Sequence, residues 1–222
     1  MSVEGLSRVP DLRPCGRLAR LALNVNALTT QATVEGLGAR APALARTLRA
    51  LTLQDNKLEG LEGVAQLRAL VALCVDVNAI GSLEGLRAGG GSLALRVLDA
   101  KYNRVESLAG VEACARLERL ALYRNRLGSM AGGALARLGA LQYLDLGRNA
   151  LTRVEGLAAC PLLTEVVLYG NAIAEMPRGL NNALLRRLAL NGNRLRSIED
   201  AGEVWRADEA RGGGGGVANG GG

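Results

Sequence analysis

The side chains able to do chemistry in this 222-residue chain are few, and what is missing narrows the reading as much as what is present. There is no histidine, and the four cysteines form no C-x-x-C pair, so neither an imidazole base nor a metal site is expected. No Gly-x-Ser-x-Gly elbow occurs, and no glycine loop ends in a phosphate-binding lysine. Carboxylates such as Asp76 and Asp99 could meet across neighbouring strands. An open sheet would leave them in water, however, and acid–base catalysis needs them desolvated. What remains is a set of recognition groups: Tyr102, Tyr123, Tyr143 and Tyr169, interspersed with arginines and carboxylates. Tyrosine and arginine are enriched at the energetic centres of protein interfaces.

The elements that must position these groups come from repetition. The stretch LQYLDLGRNAL, Leu141 to Leu151, recurs from Leu18, Leu48, Leu70, Leu95, Leu117, Leu163 and Leu185. The ninth place is Asn every time: Asn26, Asn56, Asn78, Asn103, Asn125, Asn149, Asn171 and Asn193. Apolar fourth and sixth places alternate with other residues, the period of a strand with one buried face. The asparagine falls where the chain leaves that strand, and its amide can both donate to and accept from backbone groups that would otherwise be buried unpaired. Ala100 stands at a sixth place where leucine is expected, predicting a thin spot in the core. Successive asparagines are 22 to 30 residues apart. Units this short stack into a coil with strands on one side and return segments on the other.

After Asn56 the return reads KLEGLEGVAQLRAL, and SLEGL (Ser82 to Leu86), RVESLAGV (Arg104 to Val111) and RVEGLAAC (Arg153 to Cys160) are alike. Their three-residue apolar spacing predicts a 3₁₀ or short helical crossing. The strand unit L-x-x-L-x-L-x-x-N-x-L resembles the leucine-rich repeat family. The returns are similar to its short 22-residue subclass, typified by the regulatory subunit of protein phosphatase 1. Axonemal dynein light chain, dynein-assembly factors and the spliceosomal A-prime protein share that likeness, which covers roughly Val3 to Ile198. It implies an α/β solenoid: a horseshoe with a parallel concave β-sheet of about eight strands and a convex side of 3₁₀ turns and short helices. Gly128 to Ala140 is longer than the subclass return, and Ala174 to Leu180 is closer to another subclass. The helical cap that often closes family members, ending in an L-P-x-L-x-x-L-D-type sequence, is not found.

The expected organisation is a leucine-rich repeat domain over 1–211 and a disordered glycine-rich tail over 212–222. Within the domain, 1–17 is a partial repeat or cap, 18–198 the repeats, and 199–211 a capping helix carrying Val204 and Trp205. Ser2 to Val9 reads as the return half of a repeat. Thr29 to Thr33 is expected as a loop and Gly85 to Ser92 as a flexible bulge. Cys15, Cys114 and Cys160 share one column, three residues before a strand unit, where a small buried residue fits. Cys74 points out of the core.

The net charge of +6 comes from 27 basic residues, of which only Lys57 and Lys101 are lysines, and the arginines are scattered without a basic run. Nucleic acid is therefore not the expected partner. No signal-peptide pattern and no membrane-length apolar run occur, so the expected location is cytoplasmic, with cilium or nucleus as variants.

With the fourth and sixth places inward, the third, fifth and seventh face out on the concave sheet, and the eighth lies at its rim. All four tyrosines fall on this surface, in four consecutive repeats. The expected partner-binding centre is Tyr102, Tyr123, Tyr143 and Tyr169, with Asp99, Arg119, Arg124, Asp145 and Glu165 as polar surround. The expected function is a non-enzymatic scaffold binding a partner protein on the concave face, without cofactor, metal, small-molecule substrate or membrane. The resemblance implies a phosphatase-regulatory or ciliary dynein-associated subunit. The alternative is a ribonucleoprotein adaptor using Arg186, Arg187, Arg194 and Arg196.

Overall fold

In a computed structural model, residues 5–33, 36–37, 43–87, 94–176 and 183–196 are described. Each repeat contributes one three-residue strand: β1 (Arg20–Ala22), β2 (Ala50–Thr52), β3 (Ala72–Cys74), β4 (Val97–Asp99), β5 (Arg119–Ala121), β6 (Tyr143–Asp145), β7 (Glu165–Val167) and β8 (Arg187–Ala189). They form one parallel sheet in chain order. Pairing keeps every repeat in step, so that third places lie beside third places, as in Arg119 beside Tyr143 and Tyr143 beside Glu165.

Parallel neighbours need a crossover of a dozen residues or more. The tight 3₁₀ turn lets the crossover close within one short repeat. Such turns occur at Val64–Gln66, Glu84–Arg87, Val111–Ala113, Ala134–Arg137 and Leu157–Ala159. The long segment from Gly128 uses the same device. Gly110 introduces the third turn at φ 105°, and a Cβ there would fall 2.2 Å from the Leu83 carbonyl oxygen, so only glycine fits where successive returns touch.

The core lies between sheet and returns. Leu51, Leu73, Leu98, Leu120, Leu144 and Val166 of the fourth column are buried, whereas Leu21 and Leu188 at the two ends are only partly covered. Each repeat packs on its neighbours alone, and the end repeats lack one. Ala100 is fully buried in its leucine column.

The asparagines run through the stack as a ladder. Asn103 Oδ1 accepts from the Ile80 N–H at 3.0 Å. Its Nδ2 donates to the carbonyls of Val75 at 3.0 Å and Ala100 at 3.1 Å, tying two repeats together. The same three-way pattern recurs at Asn56, Asn78, Asn125, Asn149, Asn171 and Asn193. Asn26 extends it backwards: Leu6 N–H donates to its Oδ1 at 2.8 Å, and Ala27 N–H donates to the Leu6 carbonyl. Leu6 thus occupies the place that Leu28 holds one repeat later, and the stretch from Gly5 behaves as the return half of a repeat.

The residue just before each asparagine turns into the left-handed region, at φ between 51° and 69° in all eight repeats. Only Gly170 and Gly192 suit that conformation intrinsically. Val25, Asp55, Val77, Tyr102, Arg124 and Arg148 adopt it because the hydrogen bonds on either side leave no alternative.

Two expectations are corrected. Thr29 to Thr33 is no open loop: Thr30–Thr33 is a helical turn, α1, and Leu44–Thr47 a second, α2. The Thr33 hydroxyl donates to the Thr29 carbonyl, and the Thr30 hydroxyl accepts from the Glu59 and Gly60 N–H groups, which pins the turn to the next repeat. Cys15 shares the backbone geometry of Cys114 and Cys160, each accepting from the N–H three residues on. It is nevertheless exposed while they are buried, because the repeat that would cover it is absent from the described stack. Of the predicted bulge, residues 85–87 belong to a 3₁₀ turn and 88–92 lie outside the described residues. The expected capping helix at 199–211 and the tail at 212–222 also lie outside them.

Candidate functional site

The outward face of the sheet gathers the predicted residues, though not as one uniform patch. Tyr102 and Tyr123 meet edge to face at 5.4 Å between ring centroids, and Tyr123 lies against Tyr169 at 5.7 Å. The second contact skips a strand. Tyr123 and Tyr169 belong to the fifth and seventh repeats, and between them the sixth offers Gly147. A Cβ on Gly147 would stand 3.0 Å from the Tyr169 ring, so its bare backbone is the floor over which the two rings lean together. The hydroxyls act on each other as well. The hydrogen bond between them holds Tyr123 below the ordinary phenol value, helped by Arg124 and Arg148, and holds Tyr169 above it.

Tyr143 stands apart. The Arg119 guanidinium covers its ring at 3.7 Å, an arrangement that attracts through the ring quadrupole. Its hydroxyl reaches Asp145 Oδ2 at 3.5 Å, and burial raises its pKa. The predicted quartet is thus a cluster of three and a stacked pair. Arg124 extends over the faces of Tyr102 and Tyr123 at 5.5 and 5.9 Å. Tyr102 is the most open of the four, at 46% exposure, because its backbone is in the left-handed turn at the rim.

The polar surround differs from expectation in one member. Asp145 occupies an outward place yet is only 8% exposed, so it is a buried support and not part of the accessible surface. Ala121 and Val167, in the same column on the neighbouring strands, are buried with it. Asp145 Oδ1 accepts from the Gly147 N–H at 3.0 Å, fixing the floor beneath the tyrosines, and burial raises its pKa. Asp99 pairs with Lys101 at 2.8 Å and Glu165 with Arg187 at 2.7 Å. Arg187 is therefore engaged within the sheet.

Sequence reading missed the state of Asp76. It and Asp99 do approach across β3 and β4, and the open sheet does desolvate them, contrary to expectation. Burial, followed by the hydrogen bond and charge of Asp99, pushes the Asp76 carboxyl up to about 6. Asp99 Oδ1 is buried without a hydrogen-bond partner among the described residues. Cys74, beside them at 3.6 Å from Asp76 Oδ2, has its thiol pushed up to about 11 by burial. Among the described residues no group of histidine, cysteine, aspartate or glutamate is placed to hold a metal ion.

A family profile described as leucine rich repeat matches residues 115–173. Solved structures extend the likeness along the chain. One is an internalin, InlF, from Listeria monocytogenes, at 20% identity and a TM-score of 0.56, covering 86% of this chain and 66% of that one. The chain has the leucine-rich repeat fold. A second is the leucine-rich repeat ectodomain of the plant receptor kinase GASSHO1/SCHENGEN3 from Arabidopsis thaliana, in complex with Casparian strip integrity factor 2. There the identity is 24% and the TM-score 0.56, over 82% of this chain and 25% of that one. This leucine-rich repeat chain therefore spans less than two thirds of either protein's length. No curated protein matches it. No helix among the described residues is long and apolar enough to cross a membrane.

Proposed function

We propose that the protein is a non-enzymatic scaffold that binds a partner protein on the outward, concave face of its sheet. The observation that carries this reading is the Tyr102–Tyr123–Tyr169 cluster, three rings in a row, the last two leaning together over Gly147, on a face that has no other covering element among the described residues. Rings held by one another and by arginines lose little freedom on binding, and large amphipathic side chains of this kind dominate interface energetics. Arg119 on Tyr143, at the starts of β5 and β6, extends the surface along the strands, and the Asp99–Lys101 and Glu165–Arg187 pairs edge it. The eight strands span roughly 34 Å at ~4.8 Å each, room for the ~800 Å² a standard interface takes from one partner. The Arabidopsis ectodomain, caught with its ligand, is a precedent for recognition by this fold.

The short-repeat reading adds a narrower proposal, a phosphatase-regulatory or ciliary dynein-associated subunit acting in the cytoplasm. It is supported by the recurrence of 3₁₀ returns. Direct binding assays with the phosphatase 1 catalytic subunit and with axonemal dynein chains separate the two.

The test of the main reading is the double variant Tyr123→Ala/Tyr169→Ala. It should lose capture of the principal partner in a pull-down while its circular dichroism stays that of the parent. Full capture by a folded double variant would overturn the tyrosine-centred site.

A further inference from the structure

The edge of the sheet where the strands end carries a charge pattern that the tyrosines alone do not explain. In the seventh to tenth places of the last five repeats stand Lys101, Arg104, Arg124, Arg126, Arg148 and Arg194, and not one aspartate or glutamate. Lys101 is neutralised by Asp99. Arg124 and Arg148 are exposed, lie on neighbouring repeats at the same place, and have no carboxylate partner among the described residues. Like charges on adjacent strands oppose each other. Arg124 nonetheless lies along Tyr102 and Tyr123, and the Arg148 stem passes 3.1 Å from where a Cβ on Gly170 would be, beside Tyr169. Two guanidiniums thus flank the ring cluster, touching the tyrosine hydroxyls and without a carboxylate to neutralise them among the described residues. By contrast, Asp99, Asp145 and Glu165 each already have a partner within the protein.

Resting on the concave-face reading above, we propose that the partner presents an acidic, extended peptide segment, laid along this rim with carboxylates on Arg124 and Arg148 and its apolar side chains on the tyrosines. Arginine forks match carboxylates in bidentate geometry, and on a ring face they are already oriented. The last five repeats span ~19 Å at ~4.8 Å per strand, the reach of about six extended residues. Single-stranded nucleic acid is the rival anionic ligand, and the rings disfavour it. They close on one another at 5.4 and 5.7 Å, one pair edge to face, leaving no slot for a base.

The test uses the full chain, fluorescence anisotropy and three labelled twelve-residue probes: a peptide of Glu and Asp with leucine at every third place, its lysine counterpart, and oligouridylate. The acidic peptide should bind, should weaken at least tenfold between about 50 and about 300 mM salt, and should weaken at least tenfold with Arg124→Glu/Arg148→Glu. The lysine peptide should not bind. An acidic peptide that fails to bind, one indifferent to the charge reversal in a variant of unchanged circular dichroism, or tighter binding of oligouridylate would each overturn the proposal. The principal partner separates this failure from that of the concave-face reading. If Arg124→Glu/Arg148→Glu still captures it while Tyr123→Ala/Tyr169→Ala does not, the tyrosine surface stands and the acidic segment falls.

Discussion

Asp76 shows how much of a residue's chemistry is decided by its neighbours in space. Its carboxyl titrates near 6, against about 3.9 for an unfolded aspartate. A group whose folded value is raised holds its proton more tightly in the native state. Its contribution to stability is full below pH 4 or so and is lost as pH rises through 6, so at pH 8 the native protein carries an ionised, partly desolvated carboxylate facing Asp99. Asparagine keeps the acceptor for the Lys101 N–H and supplies a donor for the orphaned Asp99 Oδ1. We therefore expect Asp76→Asn to be more stable than the parent at pH 8 in urea unfolding, with the advantage shrinking toward pH 5. A variant less stable at pH 8 would contradict the protonation assigned here. In the sequence, the closeness of Asp76 and Asp99 was legible from the repeat register, because strand pairing follows from the asparagine count. Their desolvation was not, since it depends on side chains arriving from other repeats. The same holds for Asp145, whose outward place was readable and whose burial was not.

At the scale of the element, each strand is three residues long and owes its persistence to the turn that follows it. The asparagine ladder satisfies backbone groups of two repeats with one amide, so it holds the stack together as much as it shapes the turn. Asn103→Ala leaves the Ile80 N–H unpaired in a buried setting and takes one of two amide donors from the Val75 and Ala100 carbonyls, which keep Asn78 and Asn125. At about 1–3 kcal/mol for a buried group left unpaired, a loss of roughly 1–3 kcal/mol is expected in denaturant unfolding. A loss below ~0.5 kcal/mol would mean the ladder is incidental. These elements were almost entirely legible: strand number, the identity of the inward columns and the 3₁₀ returns all follow from spacing. The left-handed residue before each asparagine was hidden, because valine, tyrosine and arginine there give no sign of a positive φ. So was the helical turn at Thr30–Thr33, held by a threonine hydroxyl that receives two N–H groups from the next repeat.

For the whole molecule, the sheet separates two surfaces with different tasks. One side buries leucines against the returns; the other displays tyrosines and arginines at a pitch set by the strands. The sequence made that division legible through period alone, and it placed all four tyrosines outward. It could not show that three of them cluster across a glycine, since Gly147 reads as an empty place until the rings of its neighbours are seen to lean over it. The central claim is that partner recognition belongs to the tyrosine-bearing face. A photo-crosslinking amino acid placed at Asn191, exposed on that face beside Tyr169, should label the bound partner. The same residue placed at Arg137, exposed in a return turn on the far side, should not. Labelling from position 137 with none from position 191 would contradict the account.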